Sequence, residues 1–278
     1  MERIPFGIRR LDTTIDGGAP PGSLVLLSGE AGAGAREFMY TSAVMNALAD
    51  AEPDLFDLYY GAVPEGAATA PDVHYVSFTA EGERLRREIE LVMDEEMADA
   101  VADAMTFHDL SPEYFRISPV PRDWYSARTT TIADLGGQED RTSVPEALGD
   151  VLSAHAADSL VVIDSLTDLI SASGEDLAWS DIPKLLKGMA RAAHEWGGLL
   201  LVLLNHETLT DERHGQLIDA CDGTFLFEWE SGGSTRARTL VVREFRGVLS
   251  QIEDEDIVQF ETEIGEAGFD ISDVRKIR

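Results

Sequence analysis

The sequence predicts an α/β protein with a mostly parallel central sheet between two helical layers, extended at its C-terminal end by antiparallel hairpins. Three observations carry this expectation. Continuously apolar runs at Leu24–Ser28, Val73–Phe78, Leu160–Ile163 and 199–205 read as strands covered on both faces. Helical stretches separate these runs, and strand–helix alternation implies right-handed crossovers between parallel strands. Beyond residue 223 the alternation stops, and strand-like segments flank glycine-containing turns instead.

Residues 1–22 carry Phe6-Gly7-Ile8, Leu11-Asp12 and Gly17-Gly18-Ala19-Pro20-Pro21-Gly22, an amphipathic lead-in closed by a Gly/Pro turn. The first strand ends in a glycine-rich turn, and a helix follows from Ala35 to Leu48. Residues 50–72 hold three prolines and no sustained period, which predicts a surface excursion with one short element near Leu55–Tyr60. After the Val73–Phe78 strand, one helix is expected from Glu81 to about Met105, with Leu85, Ile89, Val92 and Met93 on one face. A third strand is expected at Tyr114–Ser118, then a polar, Thr-rich connection to Ser143.

Pro145 opens a helix to Ala156, a position where proline is tolerated. The strand Leu160–Ile163 ends at Asp164, and a helix at Asp181–Trp196 leads through Gly197-Gly198 into LLLVLLN. Gly223–Glu230 and Arg236–Phe245 flank Ser231-Gly232-Gly233-Ser234 as one hairpin, and Ile257–Glu263 with Phe269–Asp273 form a second. With no internal duplication and no linker, the 278 residues are expected to form one domain, residues 223–278 being its antiparallel extension.

Acidic residues outnumber basic ones 52 to 22, the formal charge is −30, and only Lys184, Lys187 and Lys276 are lysines. Acid spread over every segment reads as a surface solvated under heavy ionic screening, as in the salt-rich cytoplasm of a halophilic archaeon. It argues against nucleic-acid binding, whose sequence-independent part needs Lys and Arg on phosphates. Cys221 stands alone, so no intrachain disulfide forms, and it is expected to be a small buried residue in a reducing compartment. No run reaches the roughly 20 apolar residues of a membrane span, and MERIPFGIRR has no signal-peptide core. A soluble cytoplasmic protein is the expectation.

The stretch SLVLLSGEAGAGAREF at Ser23–Phe38 has the outline of a phosphate-binding loop. The working pattern G-x-x-x-x-G-K-[ST] lets backbone N–H groups cradle phosphate oxygens while the Lys neutralises charge and the hydroxyl holds Mg2+. Gly29 and Gly34 keep the spacing with Gly32 between them, but Ala35 replaces the Lys and Arg36 replaces the Ser or Thr. A plain strand-to-helix corner is the competing reading. The dinucleotide fingerprint fails, because Glu37 stands where its third glycine belongs. Asp164, closing an apolar strand, is placed either to orient Mg2+ or to start a turn.

Taken together, these pieces resemble a single-copy member of the KaiC branch of the RecA-like ATPases. FGIRRLDTTIDGGAPPGSLVLLSGEAGAG is similar to that family's opening, VHYVSF to its second strand, SLVVIDSLTDLI to its metal-orienting strand and RTLVVREFRG to its late strand. The resemblance spans about residues 4–250. It implies a RecA-like three-layer sandwich and an ATP/Mg2+ site built from Gly29, Gly32, Gly34, Ala35, Arg36, Asp164 and Asn205, with Asp164 toward the metal. It also implies that Arg243 and Arg246 face a neighbouring subunit's nucleotide, whereas in an isolated domain Arg236, Arg238, Arg243 and Arg246 form a solvated sheet face.

The departures matter as much. The family's paired glutamates after the second strand are Thr79 and Ala80 here, with Glu81 next, either a shifted substitute or a helix-dipole partner. Its K-M-R-G becomes Glu244-Phe245-Arg246-Gly247. Glu30 and Glu37 beside the loop work against an anion. Without the lysine and the water-activating carboxylate, rapid ATP hydrolysis is not expected. The expectation is a degenerate, regulatory or signalling protein that acts through protein partners or as a homo-oligomer, with ATP and Mg2+ bound weakly or not at all. The alternatives are an active oligomeric ATPase in which Arg36 replaces the lysine, and a recombinase-like DNA accessory, disfavoured by charge. His206, Glu207, His214 and Cys221 match no zinc spacing, and solvated side chains are expected there.

Overall fold

The computed structural model describes residues 2–125, 143–172, 177–232, 235–248 and 257–276. A nine-stranded sheet runs through it in the order β3-β2-β4-β5-β1-β6-β7-β8-β9. The strands are β1 (Ser23–Gly29), β2 (Val73–Ser77), β3 (Met105–Asp109), β4 (Leu160–Asp164), β5 (Leu199–Asn205), β6 (Gly223–Gly232), β7 (Thr235–Phe245), β8 (Ile257–Gly265) and β9 (Gly268–Lys276). From β3 to β6 every pairing is parallel, and from β6 to β9 every pairing is antiparallel. This is the mixed sheet of a RecA-like fold.

Strand residues alternate between two cores. Val25, Leu27, Tyr75, Val162, Leu201 and Phe225 face one layer, which holds α1 (Arg9–Thr14), α2 (Ala35–Ala51), α3 (Pro53–Tyr59), α4 (Gly82–Glu90) and α5 (Glu95–Ala100). Leu24, Leu26, Val76, Val161, Ile163 and Val202 face the other, with α7 (Val144–His155), α8 (Leu166–Ser171), α9 (Ile182–Trp196) and α10 (Asp211–Ile218). Both faces are covered, so the parallel strands are apolar throughout. Helix α2 is buried along most of its length because β9 lies on its outer side, where the Phe269 N–H donates to the Thr41 hydroxyl at 2.8 Å.

Three expectations are corrected. The helix from Glu81 to Met105 is two helices, α4 and α5, because Asp94 caps α5 by accepting the Glu96 N–H at 3.0 Å while its own N–H donates to Glu266 O. The third strand is Met105–Asp109, and Tyr114 lies on α6 (Ser111–Phe115), which begins where the Asp109 carboxylate accepts the Ser111 N–H at 2.8 Å. Residues 50–72 hold the expected short element as α3 but are not merely a surface excursion: Phe56 and Tyr60 are buried, the Tyr60 hydroxyl donates to Asp12 of the lead-in, and the Ala68 N–H donates to Arg3 O. Residues 126–142 of the Thr-rich connection, and Gly233 and Ser234 of the first hairpin turn, lie outside the described residues. Ser143 opens α7 with a capping box to Glu146.

The lead-in is fixed by a buried carboxylate. Asp12, fully buried on α1, accepts the Phe6 N–H at 2.7 Å and the Tyr60 hydroxyl at 3.0 Å, tying residues 4–12 to the end of α3. Burial pushes its pKa up to about 7, against the pull of these donors. Gly18 passes under the same segment: its φ is +115°, and a Cβ there would lie 2.2 Å from Ile4 O, so only glycine fits.

Candidate functional site

The site forms at the C-terminal end of β1, where ligands of parallel sheets bind. Register brings it together: Gly29 pairs with Asn205 on one side and with Phe227 on the other, and Ser77 pairs with Asp164. Between β1 and α2, residues 30–34 turn around a cavity of about 400 Å³. Gly34 has φ +110°, and a Cβ on it would meet the Phe269 ring at 2.9 Å, so this glycine is held both by its backbone and by the C-terminal hairpin.

Gly29, Gly32, Gly34, Ala35, Arg36 and Asn205 all line the cavity. Asp164 is reached through Arg36, whose Nη1 lies 2.5 Å from Asp164 Oδ2. The Asp164 side chain is 5 % exposed and Arg36 is 45 % exposed. The Tyr75 hydroxyl donates to the same carboxylate oxygen at 2.8 Å. Burial raises the pKa of Asp164, and Arg36 and Tyr75 pull it back. Burial disfavours the Arg36 cation, but Asp164 overcomes this and holds the guanidinium protonated.

If residues 29–36 are matched to a phosphate-binding loop, Arg36 takes the place of the hydroxyl that would help hold Mg2+, and it contacts Asp164, the carboxylate that would orient the ion. A guanidinium therefore spans the gap a cation would bridge. Mg2+ does not fit this donor set: one oxygen of Asp164 already serves Arg36 and Tyr75, residue 36 has no metal-binding oxygen, and a fixed positive charge sits beside the place.

The loop crest is also engaged. The Ala31 N–H donates to Glu207 Oε2 at 2.9 Å, Trp229 Nε1 donates to Ala31 O at 3.1 Å, and Arg238 Nε donates to Gly32 O at 3.0 Å. The Arg238 guanidinium lies 4.6 Å from the centre of the Trp229 ring. Glu30, Glu37 and Asp168 also line the cavity, against Arg36 as its cation. Nothing in the sequence singles out Trp229, Tyr75 or Asp168, since none carries a motif, and Glu207, expected only as a solvated side chain, instead accepts the Ala31 N–H. Arg238, one of a run of arginines in the sequence, is set apart from the others only by its contacts with Gly32 and Trp229.

Other anticipated residues lie apart. Glu81 is the N-cap residue of α4, makes no side-chain cap bond and does not line the cavity. Arg246 is at the opposite end of the sheet, where its N–H donates to Asp222 O beside the start of β6 and its side chain lies 3.4 Å from the Asp222 carboxylate. Arg243 is exposed on β7. Asn205 caps its own turn, its Oδ1 accepting the Glu207 N–H at 3.0 Å, while its N–H donates to the Thr167 hydroxyl.

His206 and His214, expected to be solvated, are instead paired. They stack at 5.0 Å and share the buried Ser28 hydroxyl, at 3.1 Å from His206 Nδ1 and 2.8 Å from His214 Nε2. Cys221 is buried, and burial raises its thiol pKa. Among the described residues no group of three His, Cys, Asp or Glu side chains is placed to hold a metal ion.

Arg36→Met should cost about 2 kcal/mol of unfolding free energy at neutral pH, less than a fully buried pair because Arg36 is 45 % exposed. Adding Asp164→Asn should recover most of that loss, since the stranded carboxylate causes it. A double-mutant cycle in urea measures the coupling, and additive losses would mean the pair is not coupled.

No family model matches the chain, and no curated protein matches it. Among solved structures, a KaiC-like protein from the hyperthermophilic archaeon Pyrococcus horikoshii OT3 aligns with a TM-score of 0.63 at 18 % identity, covering 98 % of this chain and 99 % of that one. At this identity the likeness speaks for the fold alone, and the mixed α/β sheet of this chain has the fold of that structure.

Proposed function

We propose that this chain is a KaiC-like protein with a degenerate nucleotide site, acting in regulation or signalling through protein partners or self-association rather than through ATP hydrolysis. The observation that carries this reading is the Arg36–Asp164 contact at 2.5 Å. It commits to a protein carboxylate the loop cation that would otherwise meet phosphate, and it stands where Mg2+ would bridge loop and strand. Ala35 adds no charge, and the carboxylates of Glu30, Glu37 and Asp168 around the cavity repel a polyphosphate. Where the resemblance calls for a loop lysine for charge stabilisation and paired glutamates for nucleophile positioning, this sequence has Ala35, Thr79 and Ala80.

The chain's surface fits the same role. A formal charge of −30 suits a protein kept dispersed in a salt-rich archaeal cytoplasm and disfavours nucleic acid as the partner. No helix among the described residues is long and apolar enough to cross a membrane.

Titration calorimetry with ATP and Mg2+ in molar KCl, paired with a phosphate-release assay, tests the proposal. Heats too weak for a micromolar site and no turnover are expected. Micromolar, Mg2+-dependent affinity together with turnover would overturn it. Ala35→Lys combined with Arg36→Thr should raise nucleotide affinity, because it returns the charge and the hydroxyl to a backbone that still has the loop shape.

A further inference from the structure

We propose that Glu207 is a tethered anion that takes the Ala31 N–H of the loop in place of a free oxyanion, so that this donor is held by the chain itself until the connector at residues 205–210 withdraws. The proposal rests on reading residues 29–36 as a phosphate cradle, and it names how one donor of that cradle is occupied.

The connector between β5 and α10 is fixed at several points. His206 Nδ1 lies 3.1 Å from the Ser28 hydroxyl, at the foot of the loop. Asn205 Oδ1 accepts the Glu207 N–H at 3.0 Å, and the Thr208 hydroxyl donates to Asn205 O at 2.9 Å. The backbone that carries Glu207 is therefore held in place before its carboxylate reaches Ala31, and little ordering is required to make that contact.

The carboxylate then does for the loop what a ligand oxygen does. It accepts the Ala31 N–H at 2.9 Å, beside the N-terminus of a 17-residue helix, where negative charge is favoured. The opposite side of the crest is gripped by Trp229 and Arg238 through the carbonyls of Ala31 and Gly32. The Ala31 N–H and the carbonyls of Ala31 and Gly32 thus find their partners within the chain.

A tethered group competes at high effective concentration, so a free oxyanion meets an Ala31 N–H that is already taken. One charge-assisted hydrogen bond of this kind is worth roughly a factor of ten in the open–closed equilibrium. Glu207 is exposed, so its replacement leaves the core intact.

Hydrogen–deuterium exchange of peptides spanning Gly29–Arg36 tests this on wild type, Glu207→Ala and Glu207→Gln, with and without inorganic pyrophosphate or acetate and with no nucleotide present. Glu207→Ala should exchange about tenfold faster over these residues, with Glu207→Gln between it and wild type. Pyrophosphate should slow exchange in Glu207→Ala at concentrations about tenfold below those needed for wild type, and acetate should restore part of the protection. Equal exchange in wild type and Glu207→Ala would overturn the proposal. So would Glu207→Gln matching wild type, or pyrophosphate acting equally on wild type and Glu207→Ala. ATP turnover by the wild type would sink the degenerate-site reading without altering this comparison, and equal exchange would sink the latch while leaving that reading standing.

Discussion

Phe38→Ala is expected to lower the unfolding free energy by about 4 kcal/mol, the range for deleting a fully enclosed aromatic side chain. Phe38 is fully buried in the first turn of α2, and its ring centre lies 5.8 Å from Phe6, 5.7 Å from Phe225 and 5.3 Å from both Phe227 and Phe269. Four neighbouring rings come from the lead-in, from β6 and from β9, so no single element can move in to fill the space left behind. The shift of the urea midpoint at unchanged slope reads the loss.

The same substitution should loosen the C-terminal hairpin first. Phe269 packs on Phe38, on Phe227 and under Gly34, so β9 loses a principal apolar anchor when Phe38 is truncated. Protease cleavage between β8 and β9 should accelerate before the parallel sheet opens. A loss below about 1 kcal/mol would mean that the cluster collapses onto the cavity and that the rings are not mutually fixed.

Asp12→Asn is expected to change sign in its effect across the pH range. The folded protein holds the Asp12 proton up to about pH 7, whereas the unfolded chain releases it near 3.8. The stabilisation from the protonated acid is complete below pH 3.8 and is lost as pH rises through about 7. Asparagine stays neutral throughout. Between pH 4 and pH 8 the variant should gain on wild type by up to roughly 4 kcal/mol, the free-energy equivalent of the shift.

At low pH the variant should be the weaker protein, because asparagine reproduces the acceptors for the Phe6 N–H and the Tyr60 hydroxyl less well than the acid does. Unfolding free energies of both proteins at a series of pH values give the difference directly, and surface acids common to both cancel. A difference that stays flat would show that Asp12 titrates as it does in the unfolded chain.

The fold and the outline of the site were legible because their signals are local. Apolar runs covered on both faces, the Gly29 to Gly34 spacing, and Asp164 at a strand end each lie within a few residues. Strand β3 escaped because five residues at the sheet edge, with only Met105 buried, have little apolar signature and follow directly on a helical stretch. The break between α4 and α5 escaped because the apolar face continues through Met93 and Met97 while the backbone turns at Asp94.

The amino-acid sequence by itself determined the layered α/β architecture, the Gly29–Gly34 spacing followed by Ala35 and Arg36, and the acid excess, since composition, periodicity and short spacings need no knowledge of distant neighbours. Only the tertiary structure decided where the remaining charges go. Arg36 meets Asp164 across 128 residues of chain and Ala31 meets Glu207 across 176, and both meetings follow from strands aligned side by side in one sheet. Hydrogen bonds and ion pairs act over a few ångströms, so the register of β1, β4 and β5, and not the order of residues, sets which partners these groups find.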